Sequence, residues 1–152
     1  MALPNVFLKE TSDALLERLA LLKFDSKPLW GKMNAAQLLA HLNVSYDLAY
    51  ERKSSQNNFL MAWLLKAFIK PLVVNEKPYK KNASTAPIFI IAAQRDFDKE
   101  KTILITNMQD TQAKGATYFE GKTSDSFGRL SAIEWNNMFY KHLDHHFRQF
   151  GI

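Results

Sequence analysis

All four histidines of the chain fall in two stretches, AAQLLAHLNVSYDLA around His41 and YKHLDHHFRQFG with His142, His145 and His146. On a helix, side chains four residues apart leave one face with β-carbons about 5–6 Å apart, so His142 and His146 can grip one ion between them. His145 is offset by one position and points about 100° away from His146 on the helical wheel. Trp135, Phe139, His142, His146 and Gln149 follow one another at steps of three or four, which puts both histidines on the stripe that faces a core. Imidazoles buried there need partners. Gln37, His41 and Ser45 form an i, i+4, i+8 polar row beside Leu38, Leu42 and Leu48, so His41 is a natural third ligand.

Three neutral imidazoles suit zinc, nickel, cobalt or iron(II), zinc taking nitrogen at about 2.0–2.1 Å, and they leave one or more positions for water or substrate. Structural zinc sites are usually closed by four protein ligands, so an open position marks a catalytic one. Neutral ligands also leave the ion's charge available to lower the pKa of a bound water or thiol. Gln37, Ser45 and Gln149 are candidates to hydrogen-bond the ligands or meet a substrate, and His145 is a neighbour that positions or hydrogen-bonds. Asp144, on a face open to solvent, is the weakest of these candidates. Against a metal stands chance, because a lone histidine on an apolar face is more often hydrogen-bonded core than ligand. Spacing alone leaves the two readings level.

The elements that must carry these residues are helical. Residues 8–22 place Leu8, Leu15, Leu16, Leu19 and Leu22 at mixed three- and four-residue spacings, the pattern of an amphipathic helix. Pro28 and Gly31 punctuate a connector ending at Asn34, which can cap a second helix over about 35–52 while Gln37 reaches back. Asp96 starts a further helix that fades before Gly115. The last opens at Ser131, with Glu134 completing a capping box, and ends at Gly151. The stretch Lys114 to Leu130 holds too many breakers for regular structure. Residues 75–95, with Pro78, Pro87 and the apolar run Ile88–Ile91, lack a convincing strand partner and read as an extended strap packed on the helices. Phe59–Val74 is apolar on every face as far as Lys66, and Pro71 should end its helix. It is too short for a bilayer span, which needs about 20 apolar residues. It reads first as a helix buried among the others, then as an oligomer contact, then as a helix lying in a membrane surface.

The absence of cysteine excludes disulfides and thiolate nucleophiles and fits a reducing compartment, so any ion must sit on His, Asp or Glu. MALPNVFLKE has neither a basic leader nor a continuous apolar run, so no secretory signal is expected and the mature chain should start near Met1. With 152 residues, 47% hydrophobic and 23% charged, the chain is expected to form one domain over 1–152. The formal charge of +5 is local: residues 1–86 carry 12 Lys/Arg against 7 acids, while 87–152 carry 8 of each. Lys66, Lys70, Lys77, Lys80 and Lys81 are opposed only by Glu76, a set that could draw phosphates, anionic lipid or an acidic substrate. Without interleaved aromatic and Arg residues it reads instead as a solvated loop, and no nucleic-acid partner is expected.

LWGKMNAAQLLAHLNVSYDLA, STAPIFIIAAQRDFDKEKTILI and FGRLSAIEWNNMFYKHLDHHFRQFG together resemble an uncharacterised, domain-of-unknown-function branch of the DinB/YfiT-like superfamily, over nearly the whole chain. The most specific part is HxxHHxxQ, here His142, His145, His146 and Gln149. The resemblance implies an all-α, four-helix bundle with an extra short helix and long connecting loops. It implies a metal, often nickel or zinc, on one histidine of the second helix and two of the last, which fall on His41, His142 and His146. Better-known superfamily members are metal-dependent transferases working through low-molecular-weight thiols, and related proteins are thiol-using isomerases or DNA-damage-induced proteins. The expectation is a cytoplasmic metal-dependent enzyme with a small-molecule substrate, a thiol-dependent transferase or a hydrolase. No stable membrane insertion is expected, and a homodimer is admissible. The competing expectation is a non-catalytic stress-response or binding module whose histidines are structural.

Overall fold

The computed structural model of the protein describes residues 2–152 and is mostly helical. Helix α1 spans Lys9–Ala20 and buries Leu15 and Leu19. Helix α2, Ala35–Ala49, opens on the expected capping box: the Asn34 side chain accepts from the Gln37 N–H at 2.9 Å, and the Gln37 side chain accepts from the Asn34 N–H at 3.1 Å. It ends three residues earlier than the sequence suggests, because Glu51 takes a left-handed φ of 58° that no helix continues through. Most of α2 is buried, as befits a helix with neighbours on several sides.

The stretch Phe59–Val74 forms α3 (Phe59–Leu64), a π-helical turn (Leu65–Ile69) and α4 (Lys70–Val74). Two expectations fail here. Pro71 does not end the helix: it sits in the first turn of α4, after the wider π turn, where a missing N–H costs nothing. Nor is the stretch buried, for Phe59 is 88% exposed, Phe68 62% and Trp63 54%. The apolar stripes of the longer helices fill the core among themselves, and only Val74 of this stretch packs against it. Its end is tied to the last helix, where Lys141 Nζ donates to the Leu72 carbonyl at 2.8 Å and Asn137 Nδ2 to the Val74 carbonyl at 2.8 Å. These bonds serve carbonyls that a helix C-terminus leaves without partners.

Residues 75–95 are irregular apart from a 3₁₀ turn at Pro87–Phe89 that lies against α2. Helix α5, Phe97–Phe119, is capped by Asp96 and broken at Gly115, whose φ of 70° and ψ of 175° match the expected fading; one further turn then buries Phe119. The stretch Lys114 to Leu130 is more regular than expected. It holds a two-stranded antiparallel ribbon, β1 (Thr123–Ser124) and β2 (Gly128–Arg129), too short to leave a period in the sequence. Helix α6, Ala132–Gln149, opens on the Ser131–Glu134 capping box.

The core gathers Leu19 of α1, Leu38, Leu39 and Leu42 of α2, Leu104 and Phe119 of α5, and Trp135, Phe139 and Phe147 of α6, all at most 1% exposed. Phe139 stacks on Tyr46 of α2 with centroids 5.0 Å apart and on Trp135 at 5.7 Å. This aromatic column fixes the rotation of α6 against α2 and so decides which face its histidines present. No helix among the described residues is long and apolar enough to cross a membrane.

Candidate metal centre

His41 sits midway along α2, and His142 and His146 lie one turn apart on α6, on the stripe that carries Phe139 into the core. The three rings form a near-equilateral triangle, with centroids 4.8 Å (His41–His142), 4.6 Å (His41–His146) and 5.0 Å (His142–His146) apart. One nitrogen from each lies within 4.8 Å of the other two. Tetrahedral zinc with nitrogens at about 2.0–2.1 Å holds them roughly 3.3 Å apart. The closest pair here, Nε2 of His41 and Nε2 of His142, is at 2.8 Å, so the cluster brackets that spacing and ring movements of about an ångström would seat an ion.

Each ring is held from behind through Nδ1. His41 Nδ1 meets the Phe89 carbonyl at 2.8 Å, His142 Nδ1 meets the Ser45 hydroxyl at 2.6 Å, and His146 Nδ1 meets Gln149 Oε1 at 2.7 Å. A carbonyl only accepts, so His41 carries its proton on Nδ1 and its Nε2 is a bare lone pair. Gln149 is fixed in the same way: its Nε2 donates to the Trp30 carbonyl at 2.7 Å, so its oxygen faces His146 and must accept from Nδ1–H. His146 is left with Nε2 to offer. Backing of this kind, a ring N–H donated to a carbonyl or amide oxygen, is what orients histidines that bind metal.

Burial keeps the cluster neutral. His41 and His146 are 5% and 8% exposed; His142 keeps some surface, yet both its nitrogens are turned inward. Desolvation lowers the pKa of His41, more than the Phe89 carbonyl raises it. It holds His142 well below the ordinary 6.5, the neighbouring imidazoles adding to the effect, and lowers His146 to about 3. Three uncharged rings with lone pairs to give are the protonation state that a divalent ion requires.

The remaining candidates divide. Ser45 and Gln149 touch ligand histidines directly, whereas Gln37 is occupied in the α2 capping box one turn before His41. His145 stands beside the triangle, 4.9 Å from His146, between the rings of Trp30 at 5.9 Å and Tyr79 at 5.8 Å. Asp144 is turned away, bound to Arg18 and Arg148 at 2.9 Å each.

Sequence reasoning missed Phe89, whose contribution is a backbone carbonyl and so leaves no residue-type signal, although its ring also covers His41 and His142 at 5.4 and 5.7 Å. It missed Gly31 as well. That residue has a φ of 81°, and a β-carbon there would stand 2.5 Å from Gln149 Nε2, pushing that side chain off both of its bonds. The breaker in the connector was visible; its target was not. Trp30 completes the surroundings, its indole N–H buried without a partner among the described residues and its face under the Lys81 ammonium at 4.3 Å.

Compared with known protein families, residues 7–151 match the one described as Protein of unknown function (DUF1569). No curated protein and no solved structure matches.

Proposed function

The chain belongs to the DUF1569 family of unknown function, and for it we propose a divalent-metal centre on His41, His142 and His146 that serves a metal-dependent enzyme, a thiol-dependent transferase. The observation that carries this reading is the set of three converging imidazoles, each with Nδ1 engaged from behind. Zinc or nickel fits the donor set. The proposal extends to the whole chain as one DinB/YfiT-like four-helix-bundle domain over 1–152, with HxxHHxxQ as its support.

A divalent ion held there supplies Lewis acidity, lowering the pKa of a water or thiol presented at an open position. Phe89, Ser45 and Gln149 keep the rings aimed, and the Phe89 ring, against His41 and His142, helps keep the centre dry. Among the described residues the hydrogen-bond partners of the three histidines include no carboxylate that could act as a base. That favours a reactant bringing its own dissociable proton. A thiol, at about 8.5, needs far less help than water, at about 15.7. His145, half-buried and flanked by Trp30 and Tyr79, is the neighbouring group placed to meet a small-molecule substrate.

Metal analysis of freshly purified, tag-free protein is the direct test, with about one zinc or nickel per chain expected and none in His142→Ala. Protein that stays folded and takes up neither ion sinks the proposal. Turnover of a model electrophile that depends on added thiol marks the transferase; thiol-independent hydrolysis replaces it with a hydrolase. A second reading, a purely structural cluster, is favoured by the 2.8 Å contact that joins α2 to α6 without an ion. It requires His41→Ala to lose stability equally in chelator and in zinc.

A further inference from the structure

Among the described residues, half of the large apolar side chains that stand exposed fall within Phe59–Val74, an excess beyond the scattered apolar surface normal for a globular chain. Phe59, Leu60, Trp63, Phe68, Ile69 and Leu72 all lie outward, between 40% and 88% exposed. The stretch is not a loose arm. Lys141 and Asn137 hold its last carbonyls, and Lys70 pairs with Glu134 at 3.1 Å, so the apolar face is presented ready-made by α6.

The rim decides what covers it. Within residues 54–81 Lys66, Lys70, Lys77, Lys80 and Lys81 stand against Glu76 in sequence; Lys70 is taken up by Glu134 of α6, and Lys66, Lys77 and Lys80 are exposed. A second copy docked about a two-fold axis would bring this positive rim against itself, a like-charge contact that opposes association. An anionic bilayer matches both features, because the rings and leucines enter the acyl boundary while lysines meet phosphate and carboxylate headgroups. We infer that Phe59–Val74, with its lysine rim, is a docking surface for an anionic membrane, on which the protein lies without spanning it. This does not depend on the histidine centre being loaded.

Co-sedimentation of the full-length protein with vesicles tests it, neutral phosphatidylcholine being compared with the same lipid carrying about 30 mol% phosphatidylserine in about 0.1 M salt. The protein is expected to pellet with the anionic vesicles alone. Trp63→Ala with Phe68→Ala, and separately Lys66→Glu with Lys77→Glu, should each weaken partitioning by more than about tenfold. All four positions are on the surface, and unchanged far-ultraviolet circular dichroism confirms that the variants fold. Wild-type protein that stays in the supernatant with anionic vesicles overturns the inference. So does a concentration-dependent dimer that Phe68→Glu dissociates, which would give the surface to a second copy.

Discussion

Of the three groups behind the histidines, Ser45 alone can either donate or accept. Because His41 Nε2 is a lone pair, the 2.8 Å contact requires His142 to carry its proton on Nε2 in the ion-free protein, with Nδ1 accepting from Ser45. A His142 that gives Nε2 to an ion has its proton on Nδ1, and the same hydroxyl must then accept. Ser45 is thus the residue that lets His142 serve in both states. Ser45→Ala is expected to weaken zinc binding about 10- to 100-fold while Ser45→Thr largely retains it, as read by competition against a chromogenic chelator. Equal affinities in all three proteins would show that the hydroxyl plays no such part. At this scale the sequence was legible wherever the information is a residue type at a spacing: His41, His142, His146, Ser45 and Gln149. The Phe89 carbonyl and the fit of Gly31 under Gln149 depend on which loop arrives where, and no local pattern records that.

Helix α6 was readable because its period is clean. Trp135, Phe139, His146 and Gln149 are all buried, as steps of three and four require. Phe139, 1% exposed and stacked on both Tyr46 and Trp135, is the hinge of that face. Phe139→Ala is expected to cost about 3–5 kcal/mol, a fall in Tm on the order of 10 °C, measured by thermal or urea unfolding. A loss below about 1 kcal/mol would mean that the column does not set the packing. The Phe59–Val74 stretch was unreadable for the opposite reason. A run that is apolar all round has no period to say which side is covered, and its fate turns on whether other helices have already filled the core. The π turn that carries the chain past Pro71 is likewise a response to packing and leaves no mark in composition.

Across the whole molecule, folding keeps His41, His142 and His146 neutral with pKa values lowered by burial, while the unfolded chain protonates them near 6.5. Below that value the unfolded state binds more protons, so the metal-free protein loses stability as pH falls. The contribution is complete above 6.5 and, for His146, continues to drain away toward about 3. Between roughly pH 7.5 and 5, His146 alone removes about 2 kcal/mol. Urea unfolding in chelator at the two pH values should show at least that fall, and a flat profile would mean that the rings are not held neutral. One further consequence follows from Trp30. Its carbonyl anchors Gln149, its ring edge meets His145, and its indole N–H is sealed from water. A paramagnetic ion on the histidines would quench this indole, so the emission lost in Trp30→Phe, set against the constant background of Trp63 and Trp135, is an optical gauge of nickel or cobalt occupancy.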